Sequence, residues 1–496
     1  MTSPKTHLMR HYLLIVVLLV NGLATLAQAP PALTTQQKSV LTGLDAQTAR
    51  YGTIAKQIWD WAEVGYQETK SSALLQEDLR KEGFTVTSGV ADIPTAFVAT
   101  FGSGKPVLGI LAEYDALPGI NQDAVPERKP IEGKRAGHAC GHHLFGTGSM
   151  AAAVAVKKWM QETGQKGTIK LYGTPAEEGG SGKVYMVRAG LFNDVDAVLH
   201  WHPADRNSAD PSTSLANITA KIRFRGQSAH ASAAPDRGRS ALDGVESMNY
   251  MVNMMREHIP SDTRVHYVIT KGGEAPNVVP DFAEVYYYCR NKNRAILQNV
   301  WGRIVKAAEG AALGTETKVE VEIIGGVFNL LPVETLAKVM HQNLSKVGGV
   351  TYTPEETQFA EKLAESFGAS FGSVRKSGEA ATVSPFAGAA NDPVSGGSTD
   401  VGDVSWAVPT VGMSAATWVP GTAAHSWQAV AAGATGIGTK GMMVAAKTLA
   451  LTAIELFQSP ALLQKAKAEW LEARGGANFK YEALLGNRKP ALDYRK

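Results

Sequence analysis

Four short segments carry side chains whose types and spacing suit metal chemistry, and a fifth joins them late in the chain. In HACGHH (138–143), Cys140 and His142 stand two residues apart on a turn that Gly141 allows to close, so a thiolate and an imidazole can reach one cation. That donor pair suits zinc or another borderline transition metal better than calcium or magnesium. His138 and His143 lie close enough to ligate as well. In PAEEGG (175–180) two adjacent carboxylates diverge, so that one can ligate while its neighbour addresses a water; Glu178 is assigned to metal and Glu177 to the base. A lone Glu-Glu pair is more often a solvated acidic turn, but this one follows the apolar run TIKLYGTP. LHWHP (199–203) presents His200 and His202 on one side of an extended segment, and His202, beside the proline at the strand end, is the better-placed ligand. GTAAHSW (421–427) adds His425, and AEYDALPG (112–119) is a further polar cluster at a strand end.

These clusters need a scaffold that brings them to one place. The runs TAFVATF, VLGILAEY, TIKLYGTP and DAVLHWHP read as buried strands, with the helix-like AAAVAVKKWMQETG between two of them. Helical patterning from about 36 to 83 precedes them, and this α/β alternation implies a sheet flanked by helices on both faces. In open sheets of that kind ligands bind where loops leave the carboxyl ends of the strands, and the polar clusters fall there. From 216 to 325 the order changes to strand, helix, strand, strand, helix, strand, the βαββαβ pattern of a ferredoxin-like unit inserted into the first domain. The expected organisation is a discontinuous metal-binding domain (35–215 and 326–460), the inserted unit (216–325), and a charged helical tail (461–496) that carries no site.

Composition narrows the class. The 496 residues, 44% hydrophobic, belong to a globular protein of more than one domain. The net charge of +3 comes from 49 basic and 46 acidic residues without blocks of like charge, so no nucleic-acid partner is expected. At the N-terminus Lys5, His7 and Arg10 precede LLIVVLLV and then ATLAQAP, the layout of a secretory signal peptide over 1–27. Cleavage after Ala27 is favoured over Ala29, where Pro30 would follow the bond. The apolar run is short for a membrane anchor, so the expectation is an exported protein, periplasmic or extracellular, with no membrane contact after cleavage. Two cysteines are too few for a disulfide scaffold, and Cys289, at the end of AEVYYYC, reads as a small buried thiol.

Taken together, LAEYDALPG, HACGH, PAEEGG, the strand-end His-Pro, GQSAHASAAPDRGRSALD, APNVVPD and a late histidine resemble the co-catalytic metallopeptidase and aminoacylase family over about 45 to 450. The similarity is to its amidohydrolase branch, which holds hippurate, indole-acetyl-amino-acid and p-aminobenzoyl-glutamate hydrolases. The resemblance implies two divalent cations per protomer, zinc or manganese, held by Cys140, His142, Glu178, His202 and His425, with Cys140 bridging. It implies Glu177 as general base and Asp115 as the carboxylate that orients a ligand. It makes the inserted unit a lid and dimerisation domain whose His230 and Asn277 reach substrate, His230 stabilising the oxyanion, in dimers from the partner protomer. A heteromer with a homologous protein is the other assembly it allows. The implied substrate is an N-acyl or aromatic-acyl amino acid such as p-aminobenzoyl-glutamate, with dipeptides second; a silent exported binding protein is the reading from another class, disfavoured because Glu177 accompanies a full ligand set. Two departures stand out: His143 follows the motif histidine where relatives have Asp or Asn, and Glu113-Tyr114-Asp115 replaces Asp-Met-Asp.

Overall fold

The computed structural model describes residues 32–368, 377–391, 394 and 396–495, so the expected signal segment lies outside the described residues. Helices α1 (Thr35–Asp45), α2 (Thr48–Trp61) and α3 (Thr69–Lys81) open the chain, the first started by a reciprocal cap between Thr34 and Gln37. Strands β1 (Thr85–Ser88), β2 (Phe97–Ser103) and β3 (Val107–Ala112) follow, then the short pair β4 (Leu117–Pro118) and β5 (Ala136–Gly137). Next come α4 (His142–Thr163), β6 (Gly167–Gly173), α5 (Gly182–Arg188) and β7 (Ala197–Ala204).

The chain then leaves for a separate unit: β8 (Ala216–Arg225), α6 (Ala241–Met255), β9 (Arg264–Lys271), β10 (Phe282–Asn291), α7 (Arg294–Gly314) and β11 (Lys318–Val327). It returns through α8 (Glu334–Val347), α9 (Pro354–Ala364), α10 (Val401–Ala407), β12 (Thr410–Ala416), α11 (Trp427–Gly433), α12 (Gly436–Gln458) and α13 (Pro460–Ala473).

The main sheet has the order β1-β2-β6-β3-β7-β12, in which β6, β3, β7 and β12 are parallel and the β1 and β2 edge is antiparallel. All six residues of β3 are buried, as a central strand covered on both faces requires. The parallel register gathers the strand ends Ala112, Gly173, Ala204 and Ala416 on one edge, and the loops that follow them carry the polar clusters. Helix α4 runs away from that edge. Gly146 lets its backbone pass the loop after β3, because a Cβ there would lie 2.5 Å from the Glu113 carbonyl.

The inserted unit has a four-stranded antiparallel sheet, β11-β8-β10-β9, and a core of its own built from Ile218, Phe224, Val245, Met248, Tyr287 and Ile304. Along β10, Val285, Tyr287 and Cys289 enter that core, while Tyr286, Tyr288 and Arg290 alternate onto the face that looks into a cleft against the main sheet. Cys140 and Cys289 are both free and buried, in different units. Among the described residues no helix is long and apolar enough to cross a membrane.

The tail departs from expectation. Its helix ends at Ala473, where Gly475 and Gly476 both take positive φ, and the rest runs in turns back to the cleft. The charged pattern that reads as an exposed helix serves instead to hold this segment down: Arg488 donates to the Ile323 carbonyl at 2.6 Å, and Gln67 donates to the Leu492 carbonyl at 2.8 Å.

Candidate metal centre

The cleft between the two units encloses about 1890 Å³ and is lined at its inner end by Glu113, Cys140, Glu177, Glu178, His200, His202 and His425. Gly141 takes φ of +76°, and a Cβ on it would meet Pro203 at 2.6 Å; the glycine is what seats Cys140 and His142 against the end of β7. Cys140 Sγ lies 3.3 Å from His202 Nε2. His202 Nδ1 sits 2.7 Å from the Pro203 carbonyl, which fixes the tautomer and leaves Nε2 to face the thiol. His142 Nδ1 is 2.9 Å from Asp115 Oδ1, and Asp115 Oδ2 accepts from the Glu178 amide at 2.9 Å, so this buried carboxylate orients two of the expected ligands. His425 Nε2 stands 3.4 Å from Glu178 Oε1, and its amide donates to the Ala139 carbonyl at 3.0 Å, tying the late loop to HACGHH.

Donor atoms converge in three groups within 4.8 Å: Cys140, His142 and His202; Cys140, Glu178 and His425; and Glu113, His142 and Glu177. Cys140 and His142 each belong to two of them. His142 Nε2, Glu113 Oε2 and Glu178 Oε1 are buried with no hydrogen-bond partner, although His142 Nε2 and Glu113 Oε2 are only 3.1 Å apart. Buried polar atoms that converge unpaired are costly unless something binds them. Soft and hard donors aimed at common points fit divalent metal cations.

For His142 burial acts downward, but Cys140, Glu113 and Asp115 more than offset it and hold the imidazole well above its ordinary range. Burial pushes the Cys140 thiol up; His142 opposes this and Glu178 adds to it. Burial and the neighbouring His142 hold His202 down at about 4, which leaves a neutral imidazole ready to ligate. Burial likewise raises the Glu177 carboxyl well above its ordinary range, with Glu113, Glu178 and Asp400 reinforcing it. For Glu178 burial acts upward too, but the His425 and His142 imidazoles more than offset it. The two neighbouring carboxylates are thus driven apart, Glu177 upward and Glu178 downward.

His138 and His143 point elsewhere. Their Nε2 atoms bond to the Ile58 and Gly433 carbonyls at 3.1 and 3.0 Å, their rings lie 4.9 Å apart, and burial holds His143 down at about 3. His200 lines the cleft but belongs to none of the donor groups. His230 and Asn277 lie on the inserted unit, in loops joined by an Ala231 to Asn277 hydrogen bond of 3.0 Å; both are exposed and neither lines the cleft of its own chain.

Four residues escape a reading of the sequence: Lys183, Asp400, Tyr494 and Arg495. Lys183, fully buried, places Nζ 2.7 Å from Glu113 Oε1 and 2.7 Å from Asp400 Oδ1, directly behind Glu177. Burial would lower this lysine, yet Asp400, Glu113 and Glu177 raise it further, so it stays charged. The cue in the sequence is a lysine opening the apolar helix GKVYMVR. The inner wall also receives Tyr494 and Arg495 from the tail.

Known proteins share the sequence pattern and the fold. Residues 109–430 match the profile described as peptidase family M20/M25/M40. The chain is 44% identical over 448 residues to the B component of the p-aminobenzoyl-glutamate hydrolase of Escherichia coli (strain K12), covering 86% of this chain and 93% of that one. It is 28% identical over 443 residues to the Xaa-Arg dipeptidase of Mus musculus, covering 86% and 90%. The fold is that of a putative aminohydrolase from methicillin-resistant Staphylococcus aureus (TM-score 0.60, 17% identity, 84% of this chain and 99% of that one). It is also that of a dinuclear metal-binding M20 peptidase from Bacillus subtilis (TM-score 0.57, 16% identity, 84% and 99%). The chain belongs to peptidase family M20/M25/M40 and is a hydrolase of amide bonds.

Proposed function

We propose that this chain cleaves the amide bond of an N-acyl or aromatic-acyl amino acid, with p-aminobenzoyl-glutamate the first substrate to test. The observation that carries the reading is the convergence of Cys140, His142, Glu178, His202 and His425 beside the buried Glu177, in a cleft whose other wall offers Tyr286, Tyr288 and Arg290. An aromatic acyl group suits the tyrosine pair, which meet at 5.2 Å and 87°, and Arg290, stacked 5.4 Å over Tyr288 with its Nε unpartnered, suits a carboxylate. Two zinc or manganese ions held by the five ligands would acidify a water and polarise the amide carbonyl. Glu177 takes the proton from the attacking water and returns it to the leaving nitrogen. Asp115 keeps His142 and the Glu178 loop in register, and Lys183 holds Glu113 and Asp400 behind the base.

His230 serves the oxyanion of a neighbouring protomer, because it is exposed and does not line its own chain's cleft. The exposed apolar residues Tyr250, Met254, Val268 and Ile269 on α6 and the edge strand β9 support the inserted unit as the dimer surface. A heteromer is the alternative, supported by 29% identity over 276 residues to the A component of the p-aminobenzoyl-glutamate hydrolase of Escherichia coli (strain K12). Export to the periplasm or beyond the cell rests on the N-terminal segment alone.

A second reading, hydrolysis of dipeptides, is favoured by the similarity to Xaa-Arg dipeptidase. Amine release from a panel of N-acyl amino acids and dipeptides, with zinc or manganese added, separates the two. Failure on every member with both cations loaded would revive a binding role. Glu177→Ala is expected to lower kcat by about 10²- to 10⁴-fold with metal content near wild type, and retained turnover would overturn its role as base.

A further inference from the structure

We propose that Arg495 is a specificity-determining residue of this cleft, supplying a guanidinium for the side-chain carboxylate of a dicarboxylic amino acid in the substrate. The inference rests on the reading that N-acyl amino acids are the substrates, and it names which of them the site selects.

The segment after α13 is built into the site. Leu484 packs against Gly326 of the inserted unit, Arg488 reaches the Ile323 carbonyl and Glu322, and Arg188 donates to the Arg488 carbonyl at 2.6 Å. Beyond the Gln67 to Leu492 bond, Tyr494 meets Tyr66 edge-on at 5.6 Å and donates to the Glu178 carbonyl at 3.3 Å. Arg495 Nη2 donates to that same carbonyl. Two successive side chains are therefore held on the backbone of the segment that carries both Glu177 and Glu178.

Arg495 stacks 5.0 Å over the Tyr494 ring and is held on the Glu178 carbonyl, but no carboxylate pairs with it among the described residues. It lines the cleft, and its Nε is buried without a hydrogen-bond partner. A guanidinium anchored by one nitrogen keeps donors in a fixed plane, the geometry that grips a carboxylate. Arg206, by contrast, also lines the cleft but is paired with Asp205 at 2.9 Å. Arg290 approaches from the inserted unit, likewise with an unpartnered Nε. Arg290 and Arg495 stand on different walls of one cleft, each with a buried unpartnered Nε that the exposed Arg135 of the same cleft lacks, and together they match a ligand with two carboxylates, as in an N-acylated glutamate or aspartate.

The test compares wild type, Arg495→Met and Arg495→Lys as full-length protein with both cations loaded, on p-aminobenzoyl-glutamate and p-aminobenzoyl-alanine. Arg495→Met is expected to lower the glutamate-to-alanine ratio of kcat/KM by roughly 10- to 100-fold, chiefly through KM, because a charge-assisted contact is lost for one substrate only. Arg495→Lys should recover part of the ratio. A ratio within about threefold of wild type overturns the proposal; so does an equal loss on both substrates, which would make Arg495 a support for the Glu178 loop. If wild type cleaves neither substrate, the substrate reading has failed, and calorimetric binding of N-acetylglutamate against N-acetylalanine decides the arginine separately: equal selectivity in wild type and Arg495→Met overturns it.

Discussion

Replacing Lys183 by methionine isolates the contribution of the charge buried behind the base. The side chain is 0% exposed and its two partners 1%, each 2.7 Å away. At an effective dielectric of about 20, a pair of unit charges at that distance attracts by about 6 kcal/mol. Desolvating three ions consumes several kcal/mol apiece, so the intact trio contributes little net stability. The variant does not return that desolvation energy. It leaves Glu113 and Asp400 buried without a counter-charge, a loss of about 3–5 kcal/mol by comparison with other broken buried pairs. Adding Asp400→Asn restores the trio's net charge, and the double variant should regain about 0.5–3 kcal/mol, the usual range for coupling between contacting residues. The assay is urea denaturation followed by tryptophan fluorescence at fixed metal content, comparing midpoints at equal slope. A Lys183→Met shift worth less than about 1 kcal/mol would show that water or a rearranged partner already compensates the carboxylates. If the added Asp400→Asn substitution deepens the loss rather than relieving it, the charge argument is refuted outright.

Two further outcomes follow from the site. Because burial raises the Cys140 thiol, a cation must displace its proton, so metal affinity should rise with pH by up to about tenfold per unit for each proton released. Calorimetry in two buffers of different ionisation enthalpy should register at least about one proton released per chain on loading, and none would mean the thiol does not ligate. His143→Ala should keep both cations while losing roughly 1–3 kcal/mol of stability, since its contact is the Gly433 carbonyl rather than the donor groups. Loss of a cation in that variant, read by chelator titration, would return His143 to the centre.

What the sequence discloses and what it hides divide along a physical line. Cys140, His142, Glu177, Glu178 and His202 are legible because each lies within a few residues of an apolar strand or at the head of the helix that follows, and in a parallel sheet the strand ends must meet. The inserted unit is legible for a related reason: alternation along β10 and the helical patterns of α6 and α7 are local signals, and order alone dictates how they pair. Lys183 and Asp400 are 217 residues apart, and nothing in either neighbourhood announces the other. Glu113 is visible only as an odd substitution until its partner is known; once Lys183 is beside it, a carboxylate with one oxygen held and the other facing His142 becomes intelligible. The tail is the deepest omission, because a charged stretch with tyrosines reads as a solvated surface. Arg488 is instead spent on the Ile323 carbonyl while Arg188 of α5 donates to the Arg488 carbonyl, and those contacts carry Tyr494 and Arg495 to the Glu178 backbone. Local pattern locates the donor groups that converge at the strand ends, whereas the groups that surround them are set by which distant surfaces the fold closes together.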